Sequence, residues 1–198
     1  MTKSVVIFGS TGGIGEATVN AFNQAGYNVI PVDRHSVDFL HDTSSAEVEA
    51  ILAQSNPDIV VNCVGYLDKS NSETHNNTFD INVGSNWSII RYYMTITSQK
   101  PINIIMVGSS AYKSGRKDYI LYAASKAALY NVWQGASEYF KGRDITIGLV
   151  NPVRTRTKMA NMTTSAICLE PHDVAQEILS MASSKSNQLV NMKYPEEN

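Results

Sequence analysis

Cysteine is scarce in this chain. Cys63 and Cys168 are the only two among 198 residues, so neither a disulfide framework nor a zinc spacing can be built from them. Cys63 lies inside an apolar run, where a buried, unreactive thiol is expected, and a reducing cytoplasm is the expected home. A dominant charge is also lacking. The net charge is −2 and there is no basic cluster, which argues against nucleic acid or an anionic membrane as a partner. No apolar run approaches the ~20 residues of a membrane span. The start, Met1-Thr-Lys3, leads into an apolar segment rather than a signal peptide. His75 and His172 have no ligand partner at a useful spacing, so no metal site is expected. Repeats, low-complexity tracts and interdomain linkers are absent too. What remains is a single domain over residues 1–198, with 43% hydrophobic residues and enough chain to bury a real core.

The apolar residues come in short β-branched runs: Ser4–Phe8, Tyr27–Val32, Asp58–Cys63, Ile102–Val107, Ile145–Val150 and, more weakly, Gln188–Met192. Near-continuous apolar runs read as strands buried on both faces. Helical patterns lie between them. Ile14, Ala17, Ala21, Phe22 and Ala25 form one stripe, ended by Gly26. Ala46, Val48, Ile51 and Leu52 form a second, after cap candidates at Asp42–Ser45. Two long helices are expected near 77–96 and 121–140, and a short one over Asp173–Ala182. Alternating strand and helix predicts an α/β fold with a doubly wound parallel sheet of six to seven strands and helices on both faces. Pro31 demotes the second strand toward an edge. A strand near Ser36–Phe39 would be the seventh, although about four residues separate Arg34 from Asp38, too few for the usual crossover helix.

Directly after the first strand stands Gly9-Ser10-Thr11-Gly12-Gly13-Ile14-Gly15, followed by a helix pattern. Glycines there allow a tight turn and let backbone N–H groups approach a pyrophosphate, whose charge the helix N-terminus favours. Asp33 follows the second strand, where a carboxylate can hold ribose hydroxyls. A plain surface turn is the competing reading. The neighbouring Arg34 suits a 2′-phosphate instead. Asp33 thus favours NAD and Arg34 favours NADP.

Tyr122-Ala-Ala-Ser-Lys126 sets a phenol and an ammonium four residues apart. On a helix both fall on one face, one turn apart. A nearby cation favours the phenolate, so Lys126 is expected to lower the Tyr122 pKa. The pair can then give or take a proton at a carbinol or carbonyl oxygen, a form of help worth roughly 10²–10⁴ in rate. Ser109 ends an apolar run and can hold the same oxygen. The bland alternative is three unrelated polar residues, since Tyr-x-x-x-Lys arises often by chance.

These residues together resemble the short-chain dehydrogenase/reductase family, over about residues 4–192 and in the family's order. Gly9, Gly13 and Gly15 match its Gly-x-x-x-Gly-x-Gly turn, with Phe8 where Thr is common. Asn62-Cys-Val-Gly65 resembles its Asn-Asn-Ala-Gly segment. Asn82 matches the helix asparagine of its proton relay. Ser109 stands 13 residues before Tyr122, the family's usual interval, which selects Ser109 over Ser110. Asn151-Pro152-Val153-Arg154-Thr155 resembles its Pro-Gly-x-x-Thr segment, with Val153 in place of Gly. The resemblance implies a Rossmann-type fold and hydride transfer between nicotinamide and a small-molecule carbonyl or alcohol. Tyr122 would be the acid–base, Ser109 would polarise the oxygen, Lys126 would tune Tyr122 and hold the ribose, and Asn82 would complete the relay. Cofactor contacts are expected from Gly9, Ser10, Thr11, Gly13, Ile14, Gly15, Asp33, Arg34, Asp38, Asn62 and Gly65. Tyr122, Lys126, Pro152, Val153 and Thr155 extend that set. The family also implies a homodimer or homotetramer, built on two long helices that here carry Trp87, Trp133 and Phe140.

The substrate side is thinner. The usual lid after the Pro-Gly segment shrinks to about residues 156–169. Ser110, Arg116, Arg154 and Arg156 are candidate substrate contacts, and arginine suits a phosphate or carboxylate. A solvated charged surface is the equal alternative. Ser109-Ser-Ala-Tyr-Lys-Ser-Gly-Arg116 and Asn151 to Met159 are also similar to the reductase part of bifunctional CDP-ribitol synthases, which reduce ribulose 5-phosphate with NADPH. Asp33 departs from the Ser-Arg pair of those NADPH enzymes. Two rivals remain: a reductase of small uncharged ketones or aldehydes, and a non-catalytic nicotinamide-binding regulator. Regulators of that kind typically lose the tyrosine or the lysine.

Overall fold

The computed structural model describes residues 2–41, 44–68, 77–97, 100–160 and 167–194. Asp42, His75 and residues 161–166 of the expected lid lie outside the described residues. The strands are β1 (Ser4–Phe8), β2 (Asn28–Val32), β3 (Ile59–Asn62), β4 (Ile102–Val107), β5 (Ile145–Asn151) and β6 (Gln188–Asn191). They form one parallel sheet in the order β2-β1-β3-β4-β5-β6. The helices are α1 (Gly13–Gln24), α2 (Ser44–Ser55), a short α3 (Asn77–Phe79), α4 (Ser85–Thr95), α5 (Ile120–Tyr139) and α6 (Pro171–Met181).

Alternating strand residues separate the two layers. Val6, Phe8, Val60, Ile104 and Met106 face α2, α4 and α5, while Val5, Ile7, Val61, Ile105 and Val107 face α1 and α6. Both sets are buried, which is why the strands read as continuous apolar runs. The α1 stripe holds with one amendment: Thr18 is buried, and its hydroxyl bonds back to the Ile14 carbonyl at 2.7 Å. Gly26 lies at φ +81°, the left-handed position that ends a helix.

Two expectations change and one holds. Ser36–Phe39 is a turn, so the described sheet has six strands; the Asp33 carboxylate accepts the Ser36 and His35 amides and closes the chain there. Pro31 does sit in the edge strand, where no outer neighbour among the described residues requires its missing N–H. The helix expected near 77–96 is interrupted by a π-helical turn at Asp80–Gly84, which contains Asn82.

The chain runs from β1 to β2 on one side and returns through α2 to β3 on the other. The strand order therefore reverses between β1 and β3, and a crevice opens at their C-terminal ends.

Candidate active site

The crevice is one cleft with two connected chambers of about 500 Å³ each, which share Ile14, Cys63, Val64, Gly65, Thr157 and Met159. The first chamber is bordered by Ser109, Tyr122, Lys126 and Pro152–Thr155. The second is bordered by Gly9, Thr11, Gly13, Gly15 and Asp33–Arg34.

The turn from β1 to α1 is built around glycine. Gly9 lies at φ +73°, and a Cβ on Gly15 would stand 2.0 Å from the Gly9 carbonyl oxygen. The Gly12 amide bonds that same oxygen at 3.1 Å. The α1 N-cap, Gly12, offers no side-chain hydrogen bond. The first-turn amides of α1 are thus left for a ligand or water, the arrangement that binds phosphate. At the chamber's far end, Asp33 Oδ1 accepts from the Ser36 and His35 amides and the Ser36 hydroxyl. The Ser36 amide foremost holds its carboxyl below the usual carboxylate range. No described group bonds Oδ2, and Arg34 stands exposed beside it. Asp38 borders the same chamber. Ser10 and Asn62 line neither chamber. Ser10 is buried beneath the turn, and Asn62 donates to the Ser85 hydroxyl at 2.9 Å, tying β3 to α4.

In the first chamber α5 carries Tyr122 and Lys126 on one face, as their spacing requires. The Lys126 ammonium donates to the Val107 carbonyl at 3.1 Å and lies 5.6 Å from the centre of the Tyr122 ring. Burial lowers the Lys126 pKa from 10.5 to about 8. Burial also raises the Tyr122 phenol above its ordinary value, while the Ser109 hydroxyl pulls it back down and Tyr119 adds a smaller rise. Burial thus outweighs the lowering expected from Lys126. The ammonium faces the Val107 carbonyl and the ring, and desolvation dominates the phenol. Ser109 Oγ accepts from the Ala111 amide at 3.2 Å, which leaves its own O–H to donate.

Asn82 stands behind these groups, fully buried. Its Oδ1 accepts from the Tyr66 amide at 2.7 Å, and its Nδ2 donates to the Tyr66 carbonyl and the Ser125 hydroxyl, each at 2.9 Å. Ser125 in turn donates to the Tyr122 carbonyl at 2.8 Å. The side chain thus braces the α5 turn and the strand exit, and Lys126 Nζ and Asn82 Oδ1 both border Gly65.

Of the substrate candidates, Ser110, Arg116 and Arg154 border the first chamber. Arg156 borders the second and donates to Glu170 at 2.7 Å. The Arg156 amide and the Leu169 carbonyl, and the Leu169 amide and the Arg154 carbonyl, pair at 2.9 Å and fasten the base of the segment after Pro152. Thr157 then packs over Gly13, and Met159 over Gly65.

Sequence reasoning missed two contributors. Tyr119 occupies the N-cap position of α5, and its ring lies edge-on to Tyr122 with centroids 5.8 Å apart. Tyr194, from the segment after β6, reaches the first chamber. Neither carries a local signal, because each arrives through tertiary placement. Cys63 borders both chambers, and burial pushes its thiol up to about 12, so it is protonated at neutral pH.

A family model described as short chain dehydrogenase matches residues 41–167. The chain belongs to the short chain dehydrogenase family and is an NAD(P)-dependent oxidoreductase of that class. Among its relatives, the uncharacterized oxidoreductase YvrD of Bacillus subtilis is 28% identical over 183 residues, 79% of this chain and 70% of that protein. The 2,3-dihydro-2,3-dihydroxybenzoate dehydrogenase of Escherichia coli is 28% identical over 176 residues, 79% of this chain and 71% of that protein. A 63-residue stretch is 43% identical to the bifunctional ribulose 5-phosphate reductase/CDP-ribitol pyrophosphorylase Bcs1 of Haemophilus influenzae, covering 32% of this chain and 13% of that protein. The solved structure of gox2181 matches the fold with a TM-score of 0.83 at 20% identity, over 96% of this chain and 94% of that one. A 3-ketoacyl-(acyl-carrier-protein) reductase from Brucella melitensis, complexed with NADH, matches with a TM-score of 0.79 at 18% identity, over 96% of each chain.

Proposed function

We propose that this chain transfers a hydride between NAD(H) and the carbonyl or carbinol carbon of a small polar compound, with Tyr122 as the acid–base. The observation that carries this reading is the convergence of Ser109, Tyr122 and Lys126 on one chamber, joined to a second whose wall is an uncapped helix N-terminus. The α1 turn fits a pyrophosphate. Tyr122 and Lys126 fit the nicotinamide ribose, and Pro152 to Thr155 the ring. The cofactor supplies or takes up the hydride. In reduction, the Tyr122 phenol gives its proton to the carbonyl oxygen while the Ser109 hydroxyl donates a hydrogen bond to that oxygen. In oxidation, the phenolate takes the carbinol proton. The Lys126 ammonium holds positive charge beside the ring throughout, and Asn82 fixes the α5 turn that presents the pair.

NAD(H) is preferred here because the Asp33 carboxylate is held ionised with one oxygen left for ribose hydroxyls, and it would repel a 2′-phosphate. Arg34 works against that preference. For the substrate, Arg116 and Arg154 at the first chamber support a phosphate or carboxylate, as does the local similarity to the ribulose 5-phosphate reductase. Leu67, Met159 and Ala160 in the same wall favour the second reading, a small uncharged ketone or aldehyde. Exposed Trp87 on α4 and Tyr139 on α5 support a homo-oligomer through those helices.

Purified protein is to be assayed with ribulose 5-phosphate and with acetoin, using NADH and NADPH. Tyr122→Phe is expected to lower kcat by roughly 10²–10⁴ while NADH still raises its melting temperature. Wild-type turnover in that variant would overturn the mechanism. A larger thermal shift with NADPH would reverse the cofactor choice.

A further inference from the structure

We propose that Asn151 is a positioning residue for the Ser109 hydroxyl, and that Asn191 and Tyr112 lock its carboxamide to the helix bearing Tyr122 and Lys126. The inference rests on the roles given to Ser109 and Tyr122 above.

Asn151 ends β5 and is 1% exposed. Its Oδ1 accepts from the Ser109 amide at 3.0 Å, and its Nδ2 donates to Asn191 Oδ1 at 3.4 Å. Asn191 ends β6 and also accepts from the Tyr112 hydroxyl at 3.1 Å. The Tyr112 ring stacks on Tyr130 of α5, with centroids 4.7 Å apart and planes 17° from parallel. A closed circuit therefore runs from Ser109 through two strand ends and the 3₁₀ turn Ser110–Lys113 to α5. It joins Ser109 to the helix that carries Tyr122, and those two groups must meet at one substrate oxygen.

The chemistry explains the residue type. The site needs a buried acceptor for the Ser109 amide and a buried donor toward Asn191, and a carboxamide supplies both without charge. Aspartate would lack the donor and bury a charge. Gly108 is the matching requirement, since a Cβ there would stand 2.0 Å from Asn151 Oδ1. Small misplacements matter, because an error of ~1 Å in a reacting group can cost on the order of 10² in rate. Displacing the Ser109 hydroxyl also weakens the influence that pulls the Tyr122 phenol down.

The test uses protein labelled with [¹³Cζ]tyrosine, the Tyr122 signal being identified by its loss in Tyr122→Phe. Ser109→Ala is expected to raise the Tyr122 titration midpoint by about half to one pH unit. Asn151→Ala should raise it comparably, with no further rise in the double variant. Asn191→Ala, at an exposed strand end, should give a smaller shift of the same sign, and guards against Asn151→Ala failing to fold. Turnover of the best carbonyl substrate should fall ~10-fold or more in Asn151→Ala, with its KM little changed. If Ser109→Ala leaves the Tyr122 midpoint in place, the Ser109–Tyr122 reading itself fails. If Ser109→Ala moves it and neither asparagine variant does, the positioning role is overturned.

Discussion

Lys126 is a cation with almost no water around it, at 4% exposure. Its depressed pKa has a stability consequence whose sign is fixed. The folded value is about 8 and the ordinary value 10.5. Below about 8 both states are protonated, and the folded state bears the full cost of burying the charge. Between the two values the unfolded chain binds more protons, so the cost fades as pH rises. A gap of this size corresponds to roughly 3 kcal/mol. Lys126→Met is therefore expected to raise the melting temperature at pH 7, and the gain should shrink toward pH 10, as followed by thermal denaturation. Turnover should fall in the same variant, since the ammonium is then gone from beside Tyr122. Asn82 shows the opposite residue-scale solution. Its buried amide is satisfied three times over, and so it braces the site without cost in unpaired polar groups.

The element that depends most strictly on residue identity is the turn between β1 and α1. A Cβ at Gly15 would lie 2.0 Å from the Gly9 oxygen, whereas one at Gly12 would lie at 3.4 Å, an ordinary contact. Gly15→Ala is expected to lose several kcal/mol of stability and to abolish the thermal shift given by NADH. Gly12→Ala should keep the stability of wild type within about 1 kcal/mol in denaturant titration. Much at this scale was legible in advance. The glycine string, the Gly26 stop and the Pro31 edge all act through local backbone sterics, which sequence carries directly. The π-helical turn around Asn82 was not legible, because it is held by Asn82 reaching 16 residues back to Tyr66. The turn at Ser36 is different: it is local, made by the Asp33 carboxylate accepting the amides two and three residues on, and the strand expected at Ser36–Phe39 hid it.

At the scale of the molecule, the strand order gathers residues from β1, β3, β4, β5 and α5 at one edge of the sheet. The layer of α2, α4 and α5 leaves Trp87 46% exposed and Tyr139 48% exposed. Large aromatic side chains in that position suit a contact with a second copy. Light scattering is expected to report a dimer or tetramer for wild type and a smaller species for Trp87→Glu. A monomeric wild type would refute the assembly. Of the expected core aromatics, Phe140 is buried and Trp133 donates to the Ile147 carbonyl at 3.1 Å, so those two belong to the layer itself.

Sequence alone determined the alternation of strand and helix, the glycine turn, the Tyr122–Lys126 face and the interval to Ser109. Each is a short-range pattern, set by side-chain periodicity or by what a backbone turn tolerates. Only the tertiary structure decided that burial is the largest influence on the Tyr122 phenol and that Arg156 pairs with Glu170 beside the second chamber. It alone places Asn151 beneath Ser109. Those outcomes depend on burial and on pairs far apart in the chain, Ser109 with Asn151 and Tyr112 with Asn191 among them. Residue types at fixed spacings cannot encode such proximity until the sheet has brought their strand ends together.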